Sequence, residues 1–118
     1  MTNELPRAIT RDEVNALPIR RYEGEVRVVS TAPELAPALA DILQEPVVGF
    51  DTETRPAFRV GESYPPSLAQ VATARAVYLF QLRSREVASA LAQMLSSEHV
   101  LKAGVGLSDD LKALKKLI

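Results

Sequence analysis

The chain has 118 residues, enough for one domain of ordinary size. Apolar residues make up 47% and charged residues 25%, so a core can form, while a net charge of −1 provides no general attraction to nucleic acid. With no cysteine and one histidine, His99, disulfide frameworks, histidine-rich zinc sites and histidine triads are excluded. Metal chemistry falls to carboxylates, which favour hard ions such as Mg2+ or Mn2+.

Residues 1–15 are polar and mixed in charge, unlike the basic-then-apolar layout of a secretory signal, and no apolar run approaches the ~20 residues of a membrane span. The expectation is a cytoplasmic protein with no membrane contact. Residues 1–21 lack sustained periodicity and read as an extended or weakly helical lead-in to a domain over 22–118. Residues 25–30 alternate, which suits a short strand at a sheet edge. Thr31 and Glu34 have capping-box spacing and Pro33 fits a first helical turn; Leu35, Leu39, Ile42 and Leu43 give that helix its apolar stripe. Pro37 fits badly inside it, so a bend or a later start is expected.

A strong strand follows over 47–54 (VVGFDTET), then a loop over 55–67 with three prolines and one glycine. Residues 68–73 and 76–82 read as a β-hairpin, 83–97 as a helix with Val87, Leu91, Met94 and Leu95 on one face, 99–105 as a strand, and 108–118 as a last helix. A helical crossover between strands argues for an α/β sheet with at least one parallel pairing. The last helix stops without a glycine or breaker, which points to truncation.

Asp51 and Glu53 interrupt an otherwise apolar strand. Residues two apart share a face, so these acids point together to one side while Phe50 and Thr52 point to the other. Like charges side by side repel, and burying them uncompensated is expensive; a divalent cation removes both problems. A strand end meeting water is the plainer explanation, and three residues do not decide between them. Ser108-Asp109-Asp110 reads first as a helix start, with Ser108 as cap and acids complementing the dipole. Helical phase separates the two acids: at ~100° per residue Asp110 lies within roughly 40° of Leu114 and Leu117, toward the core, whereas Asp109 faces water. Asp110 is therefore the candidate ligand, directed at the strand that carries Asp51 and Glu53. Three converging acids would suit two-metal phosphoryl chemistry.

Four segments then resemble a known family: residues 48–56, with Asp51-Thr52-Glu53; residues 68–73; residues 77–80; and residues 101–106 running on to Asp110. In this order and spacing they are similar to the DEDD-type 3′-5′ exonucleases, named for four catalytic acids, and most to the ribonuclease D and Werner-syndrome exonuclease branch. The resemblance covers roughly residues 22–118. It implies a ribonuclease H-like α/β fold, a mixed sheet flanked by helices, incomplete here at the C-terminus. It also implies hydrolysis of terminal phosphodiesters of DNA or RNA to nucleoside 5′-monophosphates with two divalent cations, Mg2+ or Mn2+. Asp51, Glu53 and Asp110 would be the catalytic and metal-binding acids, with Asp51 bridging both ions, Glu53 on the ion that holds the attacking water, and Asp110 supporting the second. Thr52, Thr54 and Arg55 would contact the terminal nucleotide. The family's third motif, a Tyr or His four residues before the last Asp, has no counterpart in these 118 residues. The expectation is a chain inactive or nearly so by itself.

Other residues have plainer readings. Arg55 and Arg59 either track phosphates or sit on a solvated loop; Gln70 either faces the site or points outward. Tyr78 and Phe80 share a strand face and read as core. Lys112, Lys115 and Lys116 read as a solvated face, and His99 as structural. Gly104 and Gly106 lack dinucleotide-fingerprint spacing and serve close backbone approach. The expected partner is single-stranded or 3′-end nucleic acid, with self-association through an uncovered sheet also expected. The rival reading is a non-catalytic nucleic-acid-binding or protein-interaction module on the same fold.

Overall fold

The computed structural model describes residues 8–55, 57–62 and 64–116. Its first element is α1 (Arg11–Ala16), opened by a capping box: the Thr10 hydroxyl accepts from the Glu13 N–H, and the Glu13 carboxylate accepts from the Thr10 N–H. This Thr-x-x-Glu signal makes part of the lead-in helical. None of its residues is buried, so it adds no core.

Five strands, β1 (Glu25–Val29), β2 (Val47–Thr54), β3 (Pro66–Ala72), β4 (Ala76–Gln81) and β5 (Leu101–Ala103), form one sheet in the order β1-β4-β3-β2-β5. The turn between β3 and β4 is tightened by the Thr73 hydroxyl, which accepts from the N–H groups of Arg75 and Ala76, and the hairpin it closes is antiparallel. β3 is antiparallel to β2 as well, whereas β1 pairs parallel with β4 and β5 parallel with β2. Helical crossovers make the parallel relations possible: α2 (Ala32–Ile42) links β1 to β2, and α3 (Arg85–Leu95) links β4 to β5. A last helix, α4 (Leu107–Lys115), follows β5.

The ends of these helices follow their caps. The Glu34 carboxylate accepts from the N–H and the hydroxyl of Thr31, which holds the start of α2 where the sequence places it. No later start occurs: α2 runs through Pro37, whose missing N–H costs one bond in the second turn while Leu35, Ala38 and Ile42 are buried around it. The Ser84 hydroxyl accepts from the Val87 N–H, so α3 begins two residues later than periodicity suggests.

Strand alternation sends one set of side chains to a single core. Val29, Val48, Phe50, Ala69, Val71, Tyr78 and Phe80 from the sheet meet Leu35 and Ile42 of α2, Val87 and Leu91 of α3 and Leu114 of α4, all buried. Tyr78 and Phe80 are core, as expected. The opposite sheet face is apolar and about half exposed at Val26, Val28 and Val47. Register places Asp51, Gln70, Leu79 and Val28 side by side across that face. Among the described residues no helix is long and apolar enough to cross a membrane.

One polar cluster ties α2 to the hairpin. The Asp41 carboxylate accepts from the Tyr78 hydroxyl at 2.7 Å, from the Thr73 hydroxyl at 3.0 Å and from Arg75, which also pairs with Glu45 at 2.6 Å. Burial works against the charge of Asp41, but the hydrogen bonds from Tyr78, Arg75 and Thr73 outweigh it and hold the carboxyl below its ordinary range. Burial, then the bond to Asp41, pushes the Tyr78 phenol up to about 12.

Candidate active site

β2 has a strand on both sides only at Gly49. β5 pairs with Val47, Val48 and Gly49 and then leaves, so residues from Phe50 onward pair with β3 alone. The gap opens at the carboxyl ends of the parallel strands β2 and β5, the place where open α/β sheets characteristically bind ligands. Two glycines shape it. A Cβ at Gly104 would lie 2.3 Å from the Phe50 carbonyl oxygen, so only glycine lets the chain pass β2 at that point. Gly106 adopts the left-handed conformation (φ 65°) and is the N-cap of α4. The expected cap, Ser108, instead sits inside the first turn, because the left-handed turn at Gly106 has already set the helix direction; the Gly106 carbonyl accepts from the N–H groups of Asp109 and Asp110.

The helical phase separates the two acids of α4 as the sequence indicates: Asp109 is exposed and Asp110 partly buried. Leu117, set beside Asp110 in that argument, lies outside the described residues. Asp110 does face β2, where its Oδ1 accepts from the Thr52 hydroxyl at 2.8 Å. Its Oδ2 is buried with no protein donor. On the other side of β2, Asp51 and Glu53 share a face, and Asp51 Oδ1 accepts from the Thr52 N–H at 2.9 Å.

Asp51 and Glu53 are exposed, the strand-end alternative that the sequence left open, because the sheet face they occupy is the one that α2, α3 and α4 leave open. Solvation therefore already relieves much of their repulsion. One expectation needs correction. The three acids do not converge: among the described residues, no three His, Asp or Glu side chains are close enough to hold one ion. The cause is the alternation of β2, which turns Thr52, not Asp51 or Glu53, toward α4. The same alternation commits the Thr52 hydroxyl to Asp110 instead of leaving it free for a nucleotide.

Thr54 is exposed at the end of β2, where pairing with β3 is irregular between Glu53 and Thr54. Arg55 stacks its guanidinium over the Tyr64 ring, 4.6 Å from the centroid. Arg59 is drawn to Glu62 at 3.9 Å, and the Tyr64 hydroxyl donates to the same carboxylate. Of the loop cations, Arg55 is thus the one held at the mouth of the site. Tyr64 was missed by sequence reasoning, since nothing local links it to Arg55 nine positions earlier. Gln70 is partly buried directly opposite Asp51 on the same face, which answers the question its position in the sequence left open. Lys112, Lys115 and Lys116 are exposed, and His99 is exposed as well.

Hard oxygen donors and a buried, unpartnered carboxylate oxygen are what a divalent cation or an ordered water satisfies, so the donors present fit such an ion in kind. The mixed five-stranded sheet with its helices is the ribonuclease H-like fold of exonucleases. The family model for 3′-5′ exonucleases matches residues 26–118, and the chain belongs to that family. Among solved structures, the Nibbler exonuclease domain of Aedes aegypti is 26% identical with a TM-score of 0.69, covering 87% of this chain and 49% of that one. The EXD2 exonuclease domain is 27% identical with a TM-score of 0.60, covering 79% of this chain and 50% of that one. Ribonuclease D of Trypanosoma brucei, in complex with GMP, is 22% identical with a TM-score of 0.67, covering 77% of this chain and 29% of that one. The chain thus spans half or less of the length of these structures. No curated protein sequence matches it.

Proposed function

We propose that the chain carries the first three acids of a metal-dependent 3′-5′ exonuclease acting on the 3′ end of single-stranded DNA or RNA. The observation that carries this reading is the placement of Asp51 and Glu53 together on one face at the open end of β2, with Asp110 held by Thr52 on the other side of the strand. Trypanosoma brucei ribonuclease D, of similar fold, has been solved with GMP and with RNA, which supports a nucleotide or nucleic-acid ligand.

Asp51 and Glu53 would hold the divalent cations, Mg2+ or Mn2+, and Asp110 would offer Oδ2. Such ions supply an activated water and stabilise charge at phosphorus. The chain's own residues do the rest. Arg55, braced by Tyr64, offers a fixed cation for a phosphate, and Thr54 offers a hydroxyl beside the terminal sugar. A net charge of −1 means that holding a polyanion depends on these local charges and the ions. The fourth acid of the family's set is not among these 118 residues, so the chain alone is inactive or nearly so.

A labelled single-stranded oligonucleotide tests this by anisotropy and product analysis. The chain is expected to bind it only with Mg2+ or Mn2+, to lose at least tenfold in affinity on Asp51→Ala with Glu53→Ala, and to release no mononucleotide. Cation-independent binding that survives both substitutions would instead favour the non-catalytic module. Release of nucleoside 5′-monophosphates would overturn the inactivity.

A further inference from the structure

β1 stands at one end of the strand order, paired with β4 on one side and with no strand of the described residues on the other. Among the described residues, its backbone takes one hydrogen bond from outside the sheet, from the Tyr22 hydroxyl to the Glu25 carbonyl at 2.7 Å. That carbonyl keeps a second lone pair. Helix α2 does not cover the edge, since a groove lined by Arg27, Pro33, Pro37 and Tyr78 runs between it and β1. Glu25, Val26, Arg27 and Val28 are all exposed, and no proline or bulge interrupts them. An edge of this kind is a template for another strand.

We propose that β1 pairs antiparallel with β1 of a second copy, centred on Val26, so that two five-stranded sheets become one of ten. The charge pattern of the strand selects both the partner and the register. A closed pair of identical strands needs a two-fold axis normal to the sheet, which keeps each side chain on its own face. One residue must therefore lie opposite its own copy. Centring on Glu25 or on Arg27 sets like charges directly against each other, which is unfavourable. Centring on Val28 leaves both charges without a cross-strand partner. Centring on Val26 places Glu25 opposite Arg27 of the second copy, twice, with the half-exposed Val26 side chains meeting on the open face. Within one chain the Arg27 Nη2 and Glu25 Oε1 lie 2.8 Å apart, so both charges already sit on one face of the strand. Charges on an edge ordinarily discourage pairing; here they favour a single register. A five-residue ladder buries less than the ~800 Å2 per partner of a stable interface, so the dimer is weak and concentration-dependent. β1 lies three strands from β2, which leaves both candidate active sites open at the outer ends of the dimer.

The test is sedimentation velocity on the 118-residue chain at low salt, from about 5 to about 500 µM. The wild type is expected to shift from monomer towards dimer as concentration rises. Glu25→Arg and Arg27→Glu, made singly, each set like charges opposite one another and are expected to weaken the dimer about tenfold or more. The double reversal, Glu25→Arg with Arg27→Glu, restores both pairs and is expected to return association to within about threefold of the wild type. Both side chains are about half exposed, so melting temperatures close to that of the wild type are expected in all three. Leu101→Lys, on the open sheet face at the far edge, is the control and is expected to leave the dimer intact. A wild type that stays monomeric at the highest concentration overturns the proposal. So does a dimer that survives the single reversals, or one that Leu101→Lys dissolves, which would place the contact on the open face. Failure of the double reversal to restore association overturns it as well, since the charges would then not face each other.

Discussion

Gly104→Ala is expected to destabilise the chain by about 3 kcal/mol, seen as a fall of roughly 2 M in the urea midpoint. The added methyl would sit 2.3 Å from the carbonyl oxygen of Phe50, which belongs to the backbone of β2 and not to a flexible side chain. Phe50 is itself buried in the core, so β2 has no room to retreat. The end of β5 must move instead, and α4 moves with it, carrying Asp110 away from Thr52. Gly106→Ala is the informative contrast. Nothing lies within 4 Å of a Cβ there, and its cost is the left-handed conformation alone, about 1–2 kcal/mol. A Gly104 variant as mild as the Gly106 variant would show that β5 is free to shift and that this close approach does not position α4.

Asp41→Ala is expected to cost a similar amount, about 3 kcal/mol, by chemical or thermal denaturation. The loss has identifiable parts. The hydroxyls of Tyr78 and Thr73 lose their shared acceptor, and an orphaned donor in a buried setting costs ~1–3 kcal/mol. Arg75, about half exposed and still paired with Glu45, adds little. The same cluster makes stability depend on pH at both extremes. The folded carboxyl of Asp41 is held below its ordinary value, so its contribution is present above about pH 4 and disappears as pH falls through the folded value. The folded phenol of Tyr78 is raised, so its contribution is present below about pH 10 and is lost as pH rises through about 12. In Asp41→Ala the acid loss from this group is absent. An unchanged acid arm in that variant would mean that other carboxylates control it.

The sequence made β2 legible because period-two alternation there is strong: Phe50 is buried and Asp51 and Glu53 share the other face. The capping boxes at Thr10 and Thr31 are local three-residue relations and can be read the same way, although the one at Thr10 was passed over. What stayed hidden depends on distance. The Thr52–Asp110 bond spans 58 positions, and Asp41 reaches Tyr78 across 37, so no window of sequence contains either. β5 is three residues long although the sequence reads as a strand over 99–105, because a strand lasts only while a neighbour accepts its hydrogen bonds. Exposure of the acids stayed undecided for a related reason: which sheet face the helices cover is settled by crossovers, not by the strand that carries the acids.

The site was therefore readable as residue types and faces but not as contacts. Asp110 was correctly separated from Asp109 by helical phase, yet the residue it meets is Thr52, the uncharged member of the Asp-Thr-Glu triplet. Arg55 stood out by its place after the triplet, while its brace, Tyr64, came from the far end of a proline-rich loop.

Binding of a divalent cation by Asp51 and Glu53 at the end of β2 is read out by amide line broadening with substoichiometric Mn2+. The amides of residues 51–53 and 109–111 are expected to broaden first and together, and Asp51→Ala is expected to abolish the effect. Broadening that begins at other acids, such as Asp41 and Glu45, with residues 51–53 and 109–111 unaffected would contradict it.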